Sequence, residues 1–130
     1  MSEATLTTTP NYHLLNAMYS WISENNGRPF ILVPLEYVPG NIHHLGKDGL
    51  IVLNVSMTAT GGFTIDRELV SFSARFAGVN TRLDIPTDKI LAIWNADMPS
   101  VMRMDLPQWE KVEPEEQPAP PKRPTLSVVK

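Results

Sequence analysis

Cysteine is absent from the 130-residue chain. That removes disulfides, thiolate metal sites and a cysteine nucleophile together, and it suits a reducing cytoplasm. Histidine is scarce: there is His13, and there are the neighbours His43 and His44. Two adjacent histidines at a turn make an incomplete metal site, so neither a metal nor a cofactor is expected. Long apolar runs are missing. Nothing approaches the roughly 18 residues that a membrane span requires, and the opening MSEATLTTTP lacks the basic-then-apolar order of a signal peptide. The chain also lacks G-x-S-x-G, a Walker loop and G-x-G-x-x-G. Its acids before residue 104 are scattered, and Asp66-Arg67-Glu68 reads as a solvated turn, so an enzyme is not expected. The formal net charge is −3, with no Lys/Arg cluster in the first hundred residues. A nucleic-acid binder needs a basic face to neutralise phosphates, so nucleic acid is a disfavoured partner.

Proline, by contrast, is plentiful and unevenly spread. Six of the 12 prolines lie between Pro107 and Pro124. The shift divides the chain into a folded part, residues 1–104, a linker, residues 105–122, and a terminal motif, residues 123–130. The stretch DLPQWEKVEPEEQPAPP holds five acids against one lysine and little to bury, so disorder is expected. Its prolines favour polyproline II, which gives a reach on the order of 50 Å. The chain then turns apolar again in KRPTLSVVK, where Leu126, Val128 and Val129 precede Lys130.

The stretch TTTPNYHLLNAMYSWISENNG has a helical period. Thr8 or Thr9 can cap it with a hydroxyl, Pro10 suits its first position, and Asn25-Asn26-Gly27 end it. Tyr12, Leu14, Leu15, Ala17, Met18, Tyr19, Trp21 and Ile22 sweep roughly 220° of its circumference. A helix on one core needs an apolar stripe of little more than about 100°. The helix is therefore either sunk deep in its own domain or buried on two sides, against its domain and against a second copy. Its place at the start of a short chain favours the second reading.

After the helix the period falls towards two. Phe30–Val38 is β-rich but broken by Pro34, which predicts an edge strand or a bend. Leu50–Ser56 alternates, with Ile51, Leu53 and Val55 on one face and Val52 and Asn54 on the other. Gly61-Gly62 marks a turn. FTI and ELVSFSARF read as strands joined at Asp66-Arg67; in the second, Val70, Phe72, Ala74 and Phe76 share a face. Ala77-Gly78-Val79-Asn80 reads as a hairpin loop before TRLDIP, and ILAIWNA and VMRM add later strands. Six or so short strands at regular spacing suggest a small barrel or sandwich. The small Ala74 between Phe72 and Phe76 belongs either to a core layer of alternating size or to a shallow floor for another chain. In the second case Arg75 offers its fork of donors to a peptide.

Five stretches in order, YHLLNAMYSWISENN, KDGLIVLNVSMTATG, FSARFAG, LAIW and RPTLSVVK, together resemble the stringent starvation protein B family. That family comprises adaptors that deliver ssrA-tagged polypeptides to the ClpX unfoldase and its ClpP protease. The resemblance implies a mainly β fold, a small Sm-like or OB-like barrel or sandwich with an N-terminal helix and a disordered C-terminal tail. It implies a homodimer through that helix, with Leu14, Leu15, Met18, Tyr19 and Ile22 at the interface. It implies a tag-binding groove of Val52, Leu53, Asn54, Ser73, Ala74, Arg75 and Phe76, walled by Met102. It further implies that Arg123, Pro124, Leu126, Val128, Val129 and Lys130 dock on the ClpX N-terminal domain. The rival reading is a small RNA-binding barrel, since Sm-like and OB-like folds often hold nucleic acid.

Overall fold

The computed structural model describes residues 9–108. The possible cap Thr8, most of the linker and the whole terminal motif lie outside the described residues. The chain opens with a helix, α1 (Asn11–Glu24), followed by seven strands. These are β1 (Pro29–Pro34), β2 (Leu50–Asn54), β3 (Thr60–Ile65), β4 (Leu69–Phe76), β5 (Val79–Pro86), β6 (Ala92–Asn95) and β7 (Arg103–Asp105). They form two antiparallel sheets, ordered β2-β1-β6-β7 and β3-β4-β5. The fold is mainly β, and its two-sheet form is the sandwich of the expected alternatives.

Alternation explains the sheets. Ile31 and Val33 of β1, Ile51 and Leu53 of β2 and Ile93 of β6 point inward from the first sheet. Val70, Phe72 and Ala74 of β4, with Leu83 and Ile85 of β5, point inward from the second. All belong to one hydrophobic cluster, with Phe72 its largest fully buried side chain. The helix adds Leu15, Met18 and Ile22 to the same cluster. Spaced three and four apart, they form one stripe.

Several local expectations change. The N-cap position of α1 belongs to Pro10, which caps with no side chain, while the Thr9 hydroxyl donates to the Asp88 carboxylate instead. Strand β1 is interior, not an edge, because its prolines sit at its two ends, where a missing N–H breaks little of the ladder. Pro34 marks the bend, and a 3-10 turn at Leu35–Tyr37 follows it. Gly61-Gly62 lies within β3 rather than between strands. There Gly62 and Phe63 together face Phe72, a β-bulge in which Gly62 takes a φ of +60°. Strand β7 reaches Asp105, and Leu106 is buried beyond it. The Leu106 N–H donates to the Leu91 carbonyl at 2.8 Å, and the Gln108 amide reaches the Ile90 carbonyl. The folded part therefore outruns the boundary expected at residue 104.

One glycine is demanded by space. A side chain on Gly27 would land inside that of Asn95. Asn95 is buried, accepts the Asp97 N–H on its Oδ1 and donates to the Met102 sulfur. Between β4 and β5 the turn is tighter than the sequence suggests. Phe76 pairs with Val79, leaving Ala77 and Gly78 as a two-residue turn, with φ of +54° and +83°. That left-handed pair suits Asn-Gly better than Ala-Gly. Ala77→Asn should therefore stabilise the fold by about 0.5–1 kcal/mol, read as a raised urea midpoint at unchanged slope.

Candidate functional site

Apart from Met102, which precedes β7, the residues expected to form a groove sit on two strands of different sheets, β2 and β4. On β2, Val52 is exposed at 49% on the outer face, while Leu53 is buried in the core. Asn54 is half-buried, and its Oδ1 accepts the Ser56 N–H at 3.0 Å. On β4, Ser73 and Phe76 are half-buried and Arg75 is exposed. Ala74 sits in the ladder between Thr60 and Thr81, only 9% exposed, with its methyl in the core cluster. Met102 is also in that cluster, where its sulfur takes the Asn95 donor. Side chains alone therefore do not make a common floor: Leu53, Ala74 and Met102 face inward, and Val52 and Arg75 stand outside on separate sheets.

Backbone brings the two strands' surroundings together. Strands β2 and β3 are edges of their respective sheets, and they follow one another in sequence. The turn between them is tied down by side chains. Ser56 Oγ lies 3.3 Å from Thr58 Oγ1, and the Thr60 hydroxyl donates to the Ser56 carbonyl at 2.9 Å. Through β3, Thr60 stands beside Ala74 and Gly61 beside Ser73. An edge strand offers a row of backbone donors and acceptors to an incoming chain.

Three ion pairs stand out among the described residues: Arg28–Asp97, Arg82–Asp84 and Arg103–Asp105. The Ser71 hydroxyl, and then the Arg82 guanidinium, hold the Asp84 carboxyl below its ordinary range. Arg28 does the same for Asp97, at 2.8 Å, and Arg103 for Asp105, at 2.7 Å. The sequence reading missed a strip on the outer face of the first sheet. Arg28 lies over Phe30, Phe30 meets Trp94 edge-on, and Arg103 lies over Trp94. Strand pairing assembles it from three separate segments, so no run of residues signals it. His43 bonds the Val38 carbonyl through Nε2 and is exposed beside His44.

The expected interface residues on α1 divide. Leu15, Met18 and Ile22 belong to the chain's own core, and Leu14 and Tyr19 are half-buried against it. Ala17 is exposed, and Trp21 is 44% exposed. The apolar arc is therefore used on one side by the domain and left open on the other.

The two sheets end in four edge strands, β2, β7, β3 and β5, and α1 leaves one face uncovered; among the described residues no helix is long and apolar enough to span a membrane. A family model, that of stringent starvation protein B, matches residues 10–125, and the chain belongs to this family. It is a family of adaptors rather than enzymes. The chain is similar to a stringent starvation protein B homolog of Haemophilus influenzae (strain ATCC 51907 / DSM 11121 / KW20 / Rd), with 40% identity over 83 residues. That match covers 63% of this chain and 55% of the relative's length.

Framework and contact residues should separate in a melt. Ala74→Gln places an amide in the core and should destabilise by about 1–3 kcal/mol. Arg75→Ala should stay within about 0.5 kcal/mol. Thermal unfolding followed by circular dichroism checks both.

Proposed function

We propose that this protein is a proteolytic adaptor, which binds ssrA-type degradation tags on its β domain and delivers their bearers to the ClpX unfoldase. The observation that carries this reading is the meeting of two free edges, β2 and β3, at one short turn, beside the Ser73–Phe76 segment of β4. An extended tag gains backbone hydrogen bonds there, and Val52, Asn54 and Arg75 at the surface select among sequences. Leu53, Ala74 and Met102 shape the site from beneath.

In this reading the terminal motif docks on the ClpX N-terminal domain, with Leu126 and Val129 as its apolar anchors and Arg123, Pro124, Val128 and Lys130 in support. The prolyl linker spans the gap. Tethering raises the local concentration of the tag to about the millimolar range, so each contact can be weak enough to release. A homodimer doubles the tails. Because Leu15, Met18 and Ile22 are taken by the core, the faces that meet are Leu14, Ala17 and Trp21. The reading places the protein in the cytoplasm.

The RNA-binding alternative has one observation in its favour, the Arg28–Phe30–Trp94–Arg103 strip. Both arginines, however, are neutralised by Asp97 and Asp105, so few counterions would be released on binding. A steep salt dependence of binding to a mixed RNA pool would restore that reading.

Fluorescence anisotropy of a labelled ssrA peptide tests the tag site. The full chain and a chain stopped at Gln108, which keeps Leu106, should bind equally and saturably. Leu126→Asp should bind the peptide normally and fail to accelerate ClpXP degradation of a tagged substrate; normal acceleration would refute the docking role. For the dimer, Trp21→Asp should shift sedimentation velocity towards monomer while the circular dichroism melt stays unchanged.

A further inference from the structure

Helix α1 closes on Asn25-Asn26-Gly27, and Asn26-Gly27 is the one Asn-Gly pair in the chain. We propose that Asn26 is a site of spontaneous deamidation, gated by the closed end of α1, where the chain ages into aspartyl and isoaspartyl forms. The proposal is independent of the tag-binding reading and needs neither enzyme nor partner.

The reaction uses only the chain and water. The backbone nitrogen of Gly27 gives up its proton to hydroxide and attacks Cγ of Asn26. The N–Cγ bond forms, the Cγ–Nδ2 bond breaks, and the amide nitrogen takes a proton from water and leaves as ammonia. Water then opens the cyclic succinimide. Opening at Cγ gives aspartate, and opening at the main-chain carbonyl gives isoaspartate. Glycine at the following position has no Cβ to crowd the attacking nitrogen. After every other asparagine stands a residue with a side chain. Asn26 is exposed, so water reaches it.

The fold holds this reaction back. The Gly27 N–H donates to the Ile22 carbonyl at 3.0 Å, and the Asn26 N–H to the Ser23 carbonyl at 3.1 Å. Asn26 takes a φ of +59°, the left-handed conformation that closes a helix end. A nitrogen whose proton is bonded gives it up reluctantly, and ring closure requires the peptide between Asn26 and Gly27 to turn. Both steps need the cap to open. Asn25 steadies that cap, since its Nδ2 donates to the Trp21 carbonyl at 2.9 Å. The rate at Asn26 therefore reports how often the last turn of α1 comes undone.

The isoaspartyl product strains the fold. It adds a methylene to the main chain between two fixed points. One is the Gly27 N–H on the Ile22 carbonyl, and the other is the Arg28 carbonyl, which accepts the Ala96 N–H at 2.9 Å. Between them Gly27 lies so close to buried Asn95 that a methyl has no room. Either product also sets a carboxylate at the negative end of the helix dipole, close in sequence to Glu24. Deamidation thus loosens the end of α1 and the Asn95–Met102 contact beside it.

The test ages the full chain in mildly alkaline buffer, once folded and once unfolded in urea. Mass spectrometry of proteolytic peptides follows amide-to-acid conversion at each asparagine, and chromatography separates the two acid forms. Asn26 should convert ahead of every other asparagine in both samples. Its conversion in the folded chain should be at least about tenfold slower than in urea. Asn25→Ala, which removes the bond to the Trp21 carbonyl, should speed folded-state conversion at Asn26 by about two- to fivefold and leave the rate in urea unchanged. The isoaspartyl fraction should melt below the unaged chain. Equal rates at Asn26 in the two samples overturn the gate, and so does Asn25→Ala converting no faster than the parent. Another asparagine leading in the folded chain, or no isoaspartyl form, overturns the site. An isoaspartyl fraction that melts with the parent overturns the strain.

Discussion

Neither sheet of this protein can bury its apolar face alone. The first has four strands, of which β7 contributes three residues, and the second has three strands. Each turns most of its aliphatic residues to one side, so each needs the other as a lid, and α1 closes over part of the cluster that results. Everything functional hangs on that mutual burial. With Phe72 and its neighbours holding the two layers together, edges that face solvent stay in place instead of seeking partners among themselves. The design leaves surface strands available because the core is secured elsewhere.

Alternation made most of this legible in advance. The faces of Leu50–Ser56 and Leu69–Phe76 follow from residue type alone, since an aliphatic at every second position has one stable orientation in a two-layer fold. The glycines were ambiguous for a physical reason. A bulge and a turn both call for a left-handed residue, and Gly61-Gly62 carries no local mark of which one it serves. Pro34 was ambiguous likewise, because a proline at the end of a central strand and one within an edge strand leave the same trace. The apolar arc of α1 extends beyond the stripe that the core takes up, with Trp21 left exposed. Its division was not visible, because Leu15 and Ala17 differ in burial only through what lies opposite them.

The candidate site was less legible than the fold. Motif likeness selected stretches of strand, and a stretch of strand contains side chains pointing both ways. Three of the eight residues so selected, Leu53, Ala74 and Met102, face the core. The arginine–aromatic strip had no sequence signature, because β1, β6 and β7 contribute to it and only tertiary packing sets those segments side by side.

The anchoring of Leu106 and Gln108 has a mechanical consequence. Any pull exerted on the residues that follow enters the fold through β7, the shortest strand and an edge of its sheet. A pull across the strands would open the β6–β7 ladder one bond at a time, like a zip. A pull along them would strain its bonds together, with the buried Leu106 as an added catch. The direction in which the tail is drawn thus decides whether the domain yields early or holds, and a partner that engages the tail's far end sets that direction.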